Sequence, residues 1–413
     1  MSFFPFCDIL PTYLRSVFQT VKYILIFWDL ESGIHWSMAI FQKNEGYLGI
    51  DIGAHGIKLV ELHKTKGRPQ LWTYGVAHEH LDIHPSEPAQ AGRENAMEEY
   101  KRLTGQNASS QNQLSVEDRI EQYAEILKQL LKETRATARR ATASLPVSHV
   151  FHAIVTLPAD AQKELDHHVK AKVKKMLPQP IENMQVVHQL IPDGKDVKAR
   201  KYLRVLVTAA PKSLVSFYSM IFAKAGLQLE ELETEAFALE RSLIGHDQST
   251  SMIIDIGAER TNLFIIDQGL PITHRSMNAG GNVLDALLTQ RLGISEDMVG
   301  QMKKDLSQLP SGSVHTAIVD GLVSPIIKEI SYGIELFSAQ TGNEGKRLEK
   351  IVLTGGSALF PPVLEAIQAK FPVKVFIGDP WARVVYQQGL KQVLDELGPR
   401  MAVSIGLAMR NIV

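Results

Sequence analysis

The chain has 413 residues, with 44 Lys plus Arg against 45 Asp plus Glu, and a formal net charge of -1. Such a balance leaves no global field that would favour nucleic acid or an anionic membrane. Apolar residues make up 45%, enough for two or three soluble compact units, and the single cysteine, Cys7, excludes an intrachain disulfide or a thiolate zinc site.

Residues 1–37 differ in texture from the rest. Their most apolar run, Val21 to Trp28, is too short to cross a bilayer, and Asp29-Leu30-Glu31-Ser32 is a poor cleavage site. An interfacial helix is one reading; the preferred one is a disordered or spurious extension, with Met38 as a plausible start. A strand at 47–53 then turns at Ala54-His55-Gly56 into a second strand, Ile57–Glu61, and a third follows near Trp72–Val76. The polar stretch 78–116 is read as loop. Apolar residues Ile120, Tyr123, Ile126, Leu127, Leu130 and Leu131 predict a helix from Glu117 to Arg135, followed by a strand at Thr142–Leu145.

Next comes a βαββα unit inserted into the first lobe at about 148–226. It comprises strand Val150–Thr156, helix Ala161–Met176, strands Met184–Leu190 and Tyr202–Ala209, and helix Lys212–Ala225. Asp193-Gly194-Lys195 turns one strand into the next. The first lobe thus covers 46–245, and Gly245–Thr250 links it to a second lobe at 251–397. A final helix, Ala402–Arg410 within 398–413, starts after the Gly398-Pro399 break and packs back on the first lobe.

An internal repeat organises the whole. Ile-Asp-Ile-Gly-Ala occurs at 50–54 and again at 254–258, each time at the apex of a strand–turn–strand. Tight turns after Asp-Ile-Gly direct backbone N–H groups into a nest that holds phosphate oxygens. Asp51 and Asp255 would reach a magnesium ion mainly through its waters. Leu353-Thr354-Gly355-Gly356-Ser357 lets backbone pass flat against a base or ribose. Ala279-Gly280-Gly281-Asn282 opens a helix whose N–H groups favour an anion.

In this order the motifs resemble the actin/Hsp70/sugar-kinase superfamily and, more narrowly, the PilM family of type IV pilus assembly. The likeness covers 46–413, and the insert sits where FtsA also carries its extra subdomain. It implies a two-lobed actin-like α/β fold with a duplicated ribonuclease H-like core, and ATP with Mg2+ between the lobes. Carried onto this chain, the nucleotide contacts fall on Asp51, Gly53, Ala54, His55, Gly56 and Lys58 in the first hairpin. In the second they fall on Gly257, Ala258, Glu259, Arg260, Thr261 and Asn262. Gly280, Gly281, Asn282, Gly355, Gly356 and Ser357 complete the set. Asp51 and Asp255 are the metal residues, while Asp255 and Glu235 (a water-orienting carboxylate) are the catalytic candidates.

The resemblance also implies docking of the N-terminal peptide of PilN, other inner-membrane and motor partners, possible self-association, and a cytoplasmic site at the inner membrane. The first turn departs from many such ATPases: Ala54-His55-Gly56 offers no hydroxyl to phosphate, which argues against efficient hydrolysis. Arg260 reads equally as a phosphate contact or a solvated turn, Glu235 also as a dipole-favoured helix-start acid, and Lys58 as facing phosphate or solvent. His78, His80 and His84 read as a solvated loop, and the basic run Lys170–Lys175 as a solvated helix face. An FtsA-like division protein and a small-molecule kinase remain the alternatives.

Overall fold

Tyr47–Ile52 is buried on both faces, as a strand covered from two sides must be. It lies in β1 (Gly46–Gly53), the central strand of a five-stranded sheet in this computed structural model. The structure describes residues 45–79, 81, 115–191, 202–307 and 316–413. Contacts separate Met1–Lys43 from Asn44–Val413, and every described residue lies in the second unit. The extension 1–37, the Asp193-Gly194-Lys195 turn, His80 and His84 lie outside the described residues.

β2 (Gly56–His63) and β3 (Gln70–Ala77) continue from β1 as an antiparallel meander. Helix α1 (Val116–Glu133) starts at Ser115, whose hydroxyl accepts the Asp118 N–H at 3.1 Å. β4 (Arg140–Leu145) then joins the other side of β1 in parallel. The chain next leaves the sheet for a small unit of β5 (Phe151–Pro158), α2 (Leu165–Val173), β6 (Met184–Leu190) and β7 (Tyr202–Pro211), with β7 central. Helix α3 (Lys212–Lys224) and β8 (Gln228–Thr234) complete the first lobe, β8 running parallel to β4. The sequence reading placed α3 in the insert. Its apolar face, Phe217, Tyr218, Ile221 and Phe222, belongs instead to the core shared by β1, β2 and α1.

A short helix, α4 (Glu235–Leu239), passes into a π-helical turn at Glu240–Ile244, which ends at Gly245 with φ of 63°. The second lobe repeats the first. β9 (Ser251–Ile256), β10 (Thr261–Asp267) and β11 (Leu270–Met277) form the meander, followed by α5 (Gly281–Leu292), α6 (Glu296–Ser307) and α7 (Asp320–Ala339). β12 (Lys350–Thr354), α8 (Pro361–Gln368) and β13 (Lys374–Ile377) close it. Both five-stranded sheets have the order third, second, first, fourth, fifth, with the last two strands parallel to the first. That is the duplicated α/β core of the actin-like fold.

The insert is not an appendage of the first lobe alone. Ile191 and Leu206 are buried in the same apolar cluster as Met252, Ile254 and Phe337 of the second lobe. Arg204, 5% exposed, donates to the Gly342 carbonyl at 3.4 Å and to Asn343 Oδ1 at 3.1 Å. The rings of His152 and His274 meet edge to face at 5.4 Å. Burial pushes both imidazoles down to about 4, so the contact is between neutral rings at neutral pH.

The last helix, α9 (Lys391–Met409), runs through Gly398-Pro399 rather than starting after it. Its proline turn is held from outside. Trp381 Nε1 donates to the Leu394 carbonyl at 2.8 Å, and the Pro399 carbonyl accepts the Gly355 N–H and the Thr354 hydroxyl, each at 3.0 Å. Neighbours thus pin the helix on both sides of an interior proline that would otherwise weaken it. Met401 to Met409 are buried without interruption, as in a helix enclosed on all sides. Two glycines permit this. A Cβ on Gly49 would lie 1.9 Å from the Ser404 carbonyl oxygen, and one on Gly406 1.8 Å from that of Ala238. Gly406→Ala should therefore destabilise by about 3 kcal/mol in urea unfolding. Gly300→Ala, on exposed α6 with nothing within 4 Å, should instead stabilise by roughly 0.5–1 kcal/mol.

Candidate functional site

The two repeated hairpins place their acids at matching points. Asp51 lies in register with Lys58 across β1 and β2, and Asp255 with Asn262 across β9 and β10. Lys58 Nζ donates to Asp51 Oδ2 at 2.7 Å, and the Ser144 hydroxyl donates to Asp51 Oδ1 at 2.8 Å. Both oxygens of Asp51 are thus engaged, which leaves it a supporting role toward a metal. Asn262 Nδ2 donates to Glu235 Oε2 at 3.1 Å, and Ser276 fixes the amide by donating to Asn262 Oδ1 at 2.7 Å. Ser144 and Ser276 carry no signal in the sequence, since their roles arise only from the neighbouring strands.

Charges from both lobes act on one another here. Burial pulls the Lys58 ammonium down, but the charge and hydrogen bond of Asp51, with Asp255 behind them, hold it above its ordinary value. Burial first, then Asp51 and Asp255, push Glu235 well above the usual carboxylate range. Burial also raises Asp255 to about 6; Lys58 opposes this and Asp51 adds to it. Asp51, Lys58, Glu235 and Asp255 therefore form one electrostatic cluster drawn from both lobes.

The glycine turns divide into two kinds. Gly280 and Gly355 are packed backbone to backbone. A Cβ on Gly280 would stand 2.6 Å from the Ala258 oxygen, and one on Gly355 (φ 88°) 2.4 Å from the Ile256 oxygen. The N–H groups of Gly281 and Asn282 donate at 2.8 Å to the carbonyls of Gly257 and Ala258. The expectation that this helix start offers its amides to an anion is corrected, because they lock the second hairpin turn to α5. Thr261 likewise gives its hydroxyl proton to the Ala279 carbonyl at 2.6 Å. A Cβ on Gly281 would meet Ser357 Oγ at 2.8 Å, so this turn also adjoins the Gly355-Gly356-Ser357 segment.

Other faces are open. A Cβ on Gly53 would find only Lys58 Nζ at 3.5 Å and the Gly56 oxygen at 3.8 Å. Gly257 is approached only by the Arg260 carbonyl, at 3.1 Å, which also accepts the Gly257 N–H at 2.9 Å. Gly56 needs its φ of 122°, since a Cβ there would strike the Ala77 oxygen. Ala54 is buried and its carbonyl accepts the Leu81 N–H, whereas His55 is exposed. Glu259 and Arg260 occupy the second turn, half-buried. His78, read from sequence as a solvated loop residue, lies near the cleft. Burial, then the charges of Arg400, His55 and Lys58, push its pKa down.

These residues fit a magnesium nucleotide in part. Among the described residues no three His, Cys, Asp or Glu side chains converge to hold a metal by themselves. Asp255, which a phosphate-borne magnesium would restore to its charged form, is the oxygen donor that suits such an ion. The open face of Gly53 leaves room beside Lys58 for phosphate oxygens.

A carboxyl held above its ordinary value favours the fold while protonated. That contribution is full below pH 3.8 and gone above about 6. Asp255→Asn should therefore raise unfolding stability at neutral pH, by roughly 2–3 kcal/mol, with the gain vanishing in acid below the ordinary value. Denaturant titrations of both chains across that range check this.

The family model described as "Type IV pilus assembly protein PilM" matches residues 105–412, well over half of the chain. A solved structure titled "PilM-PilN type IV pilus biogenesis complex" superposes with a TM-score of 0.66 at 22% identity, covering 89% of this chain and 98% of the other. The ethanolamine utilization protein EutJ from Carboxydothermus hydrogenoformans aligns at a TM-score of 0.46 and 15% identity, over 88% and 89% of the two chains. Among curated proteins, the cell division protein FtsA of Streptococcus pneumoniae is 24% identical over 196 residues, 43% of each chain. The alignment thus takes in less than half of that division protein's length. With its duplicated sheets and the breadth of the family match, the chain belongs to the type IV pilus assembly protein PilM family.

Proposed function

We propose that the chain is an ATP-binding scaffold of type IV pilus assembly, working on the cytoplasmic face of the inner membrane. The observation that carries this is the convergence of Asp51 and Lys58 from the first hairpin, Asp255 from the second and Glu235 from the start of α4 into one cluster. Lys58 and the first-turn backbone bind phosphate, and Asp255 holds magnesium through its waters. Glu235 orients a water, but slowly: the first turn lacks a hydroxyl, and Glu235 sits in surroundings that disfavour its charged, base-competent form.

By likeness to the PilM-PilN complex, a PilN-like protein is the partner; following the family resemblance, it is an inner-membrane protein whose N-terminal peptide docks beside the insert. No helix among the described residues is long and apolar enough to cross a membrane, so attachment through such a partner suits the role. The insert touches both lobes, and nucleotide-driven closure of the lobes therefore reaches the docking module. The FtsA-like reading rests on a match to 43% of the chain and ranks below this one.

Magnesium-ATP should raise the melting temperature of the full chain, and Asp255→Ala should abolish the shift. In pull-downs from membranes the wild type should capture a short-tailed single-pass protein that the variant loses. Absence of any ATP-dependent shift would defeat the proposal. Fast ATP consumption with a sugar or polyol would make the chain a kinase, and ATP-dependent filaments on lipid would favour the division-protein reading.

A further inference from the structure

Arg400, which no sequence motif marks, stands at the cleft. It follows Pro399, whose carbonyl is bound by the Gly355 N–H and the Thr354 hydroxyl at 3.0 Å each, so its backbone is pinned to the Gly355-Gly356 turn. Its side chain runs along Gly356: a Cβ there would lie 3.5 Å from Arg400 Cγ and 3.8 Å from Nε. From this position its charge acts on Lys58 in β2 and on His78 beyond β3. Arg400 thus belongs to the helix between the lobes, yet its field meets that of the first lobe's basic groups.

We propose that Arg400 contacts the outer phosphates of the bound nucleoside triphosphate, a role that rests on the ATP reading above. Lys58 is already paired with Asp51, and its ammonium is a point charge. A guanidinium offers a planar fork that matches phosphate oxygens two at a time. A polyanion lying between Lys58 and Arg400 would also relieve their mutual repulsion. Because α9 is buried against both lobes, a contact made by Arg400 depends on how the lobes are spaced. The presence of outer phosphates is then read by the same helix that sets that spacing.

Calorimetric titration of the full chain, Arg400→Gln and Arg400→Lys with the magnesium forms of ATP and ADP, and with AMP, tests this. Glutamine keeps much of the stem along Gly356, Arg400 is only half-buried, and melting curves of both variants are recorded alongside. The expected result is a loss of about tenfold to a hundredfold for ATP in the Gln variant, a smaller loss in the Lys variant, and unchanged AMP binding. Equal losses for ATP and AMP would place Arg400 on the nucleoside, and no loss for ATP would remove it from the site; either overturns the inference while leaving the ATP reading intact. A wild-type chain without ATP affinity would overturn both.

Discussion

Everything in this molecule hangs on the close approach of α9 to the two lobes. At Gly49 the helix backbone lies against β1, and at Gly406 it lies against α4, at separations that leave no room for a single methyl group. Its other faces pack on Ile253, Phe264 and Val352 of the second lobe. Close-packed interiors shift between discrete arrangements rather than deform continuously, so this contact fixes the distance between the lobes. That distance in turn decides whether Asp51 and Asp255 feel each other.

The cluster those acids form is costly by construction. Burial and like charge raise Asp255 and Glu235, while both oxygens of Asp51 are hydrogen-bonded, to Lys58 and Ser144. Groups arranged against their own preferences are a mark of functional sites, where a ligand supplies the missing compensation. The asymmetry between the hairpins follows the same logic. At the position where the first hairpin carries Lys58 the second carries Asn262, which spends its amide on Glu235. One half of the duplication supplies a cation and the other positions an acid.

The insert adds a second bridge between the lobes. Arg204 and His152 reach second-lobe partners, and Leu206 is buried in the second-lobe core, although all three belong to a segment that interrupts the first lobe. A unit held from both sides cannot ignore a change in lobe spacing. Differential contacts of this kind are what couple a cleft to a distant surface.

By itself the sequence determined the duplication and the strand–turn–strand context of both Asp-Ile-Gly motifs, because periodicity and glycine placement are local properties. It also marked Asp51 and Asp255, whose neighbours in sequence form the recurring motif, and Glu235 at the start of a helix. Tertiary structure alone decided what those residues touch. It engaged both Asp51 oxygens, turned the Gly281 and Asn282 amides onto Gly257 and Ala258, and carried α9 through Pro399. It also brought Arg400 and His78 to the cleft. A proline reads locally as a helix breaker, and only the tertiary structure supplies Trp381, Gly355 and Thr354, gathered from elsewhere in the chain, which hold the helix backbone on both sides of it. Hydrogen bonds between distant segments leave no trace in residue spacing, and that is where sequence reading stopped.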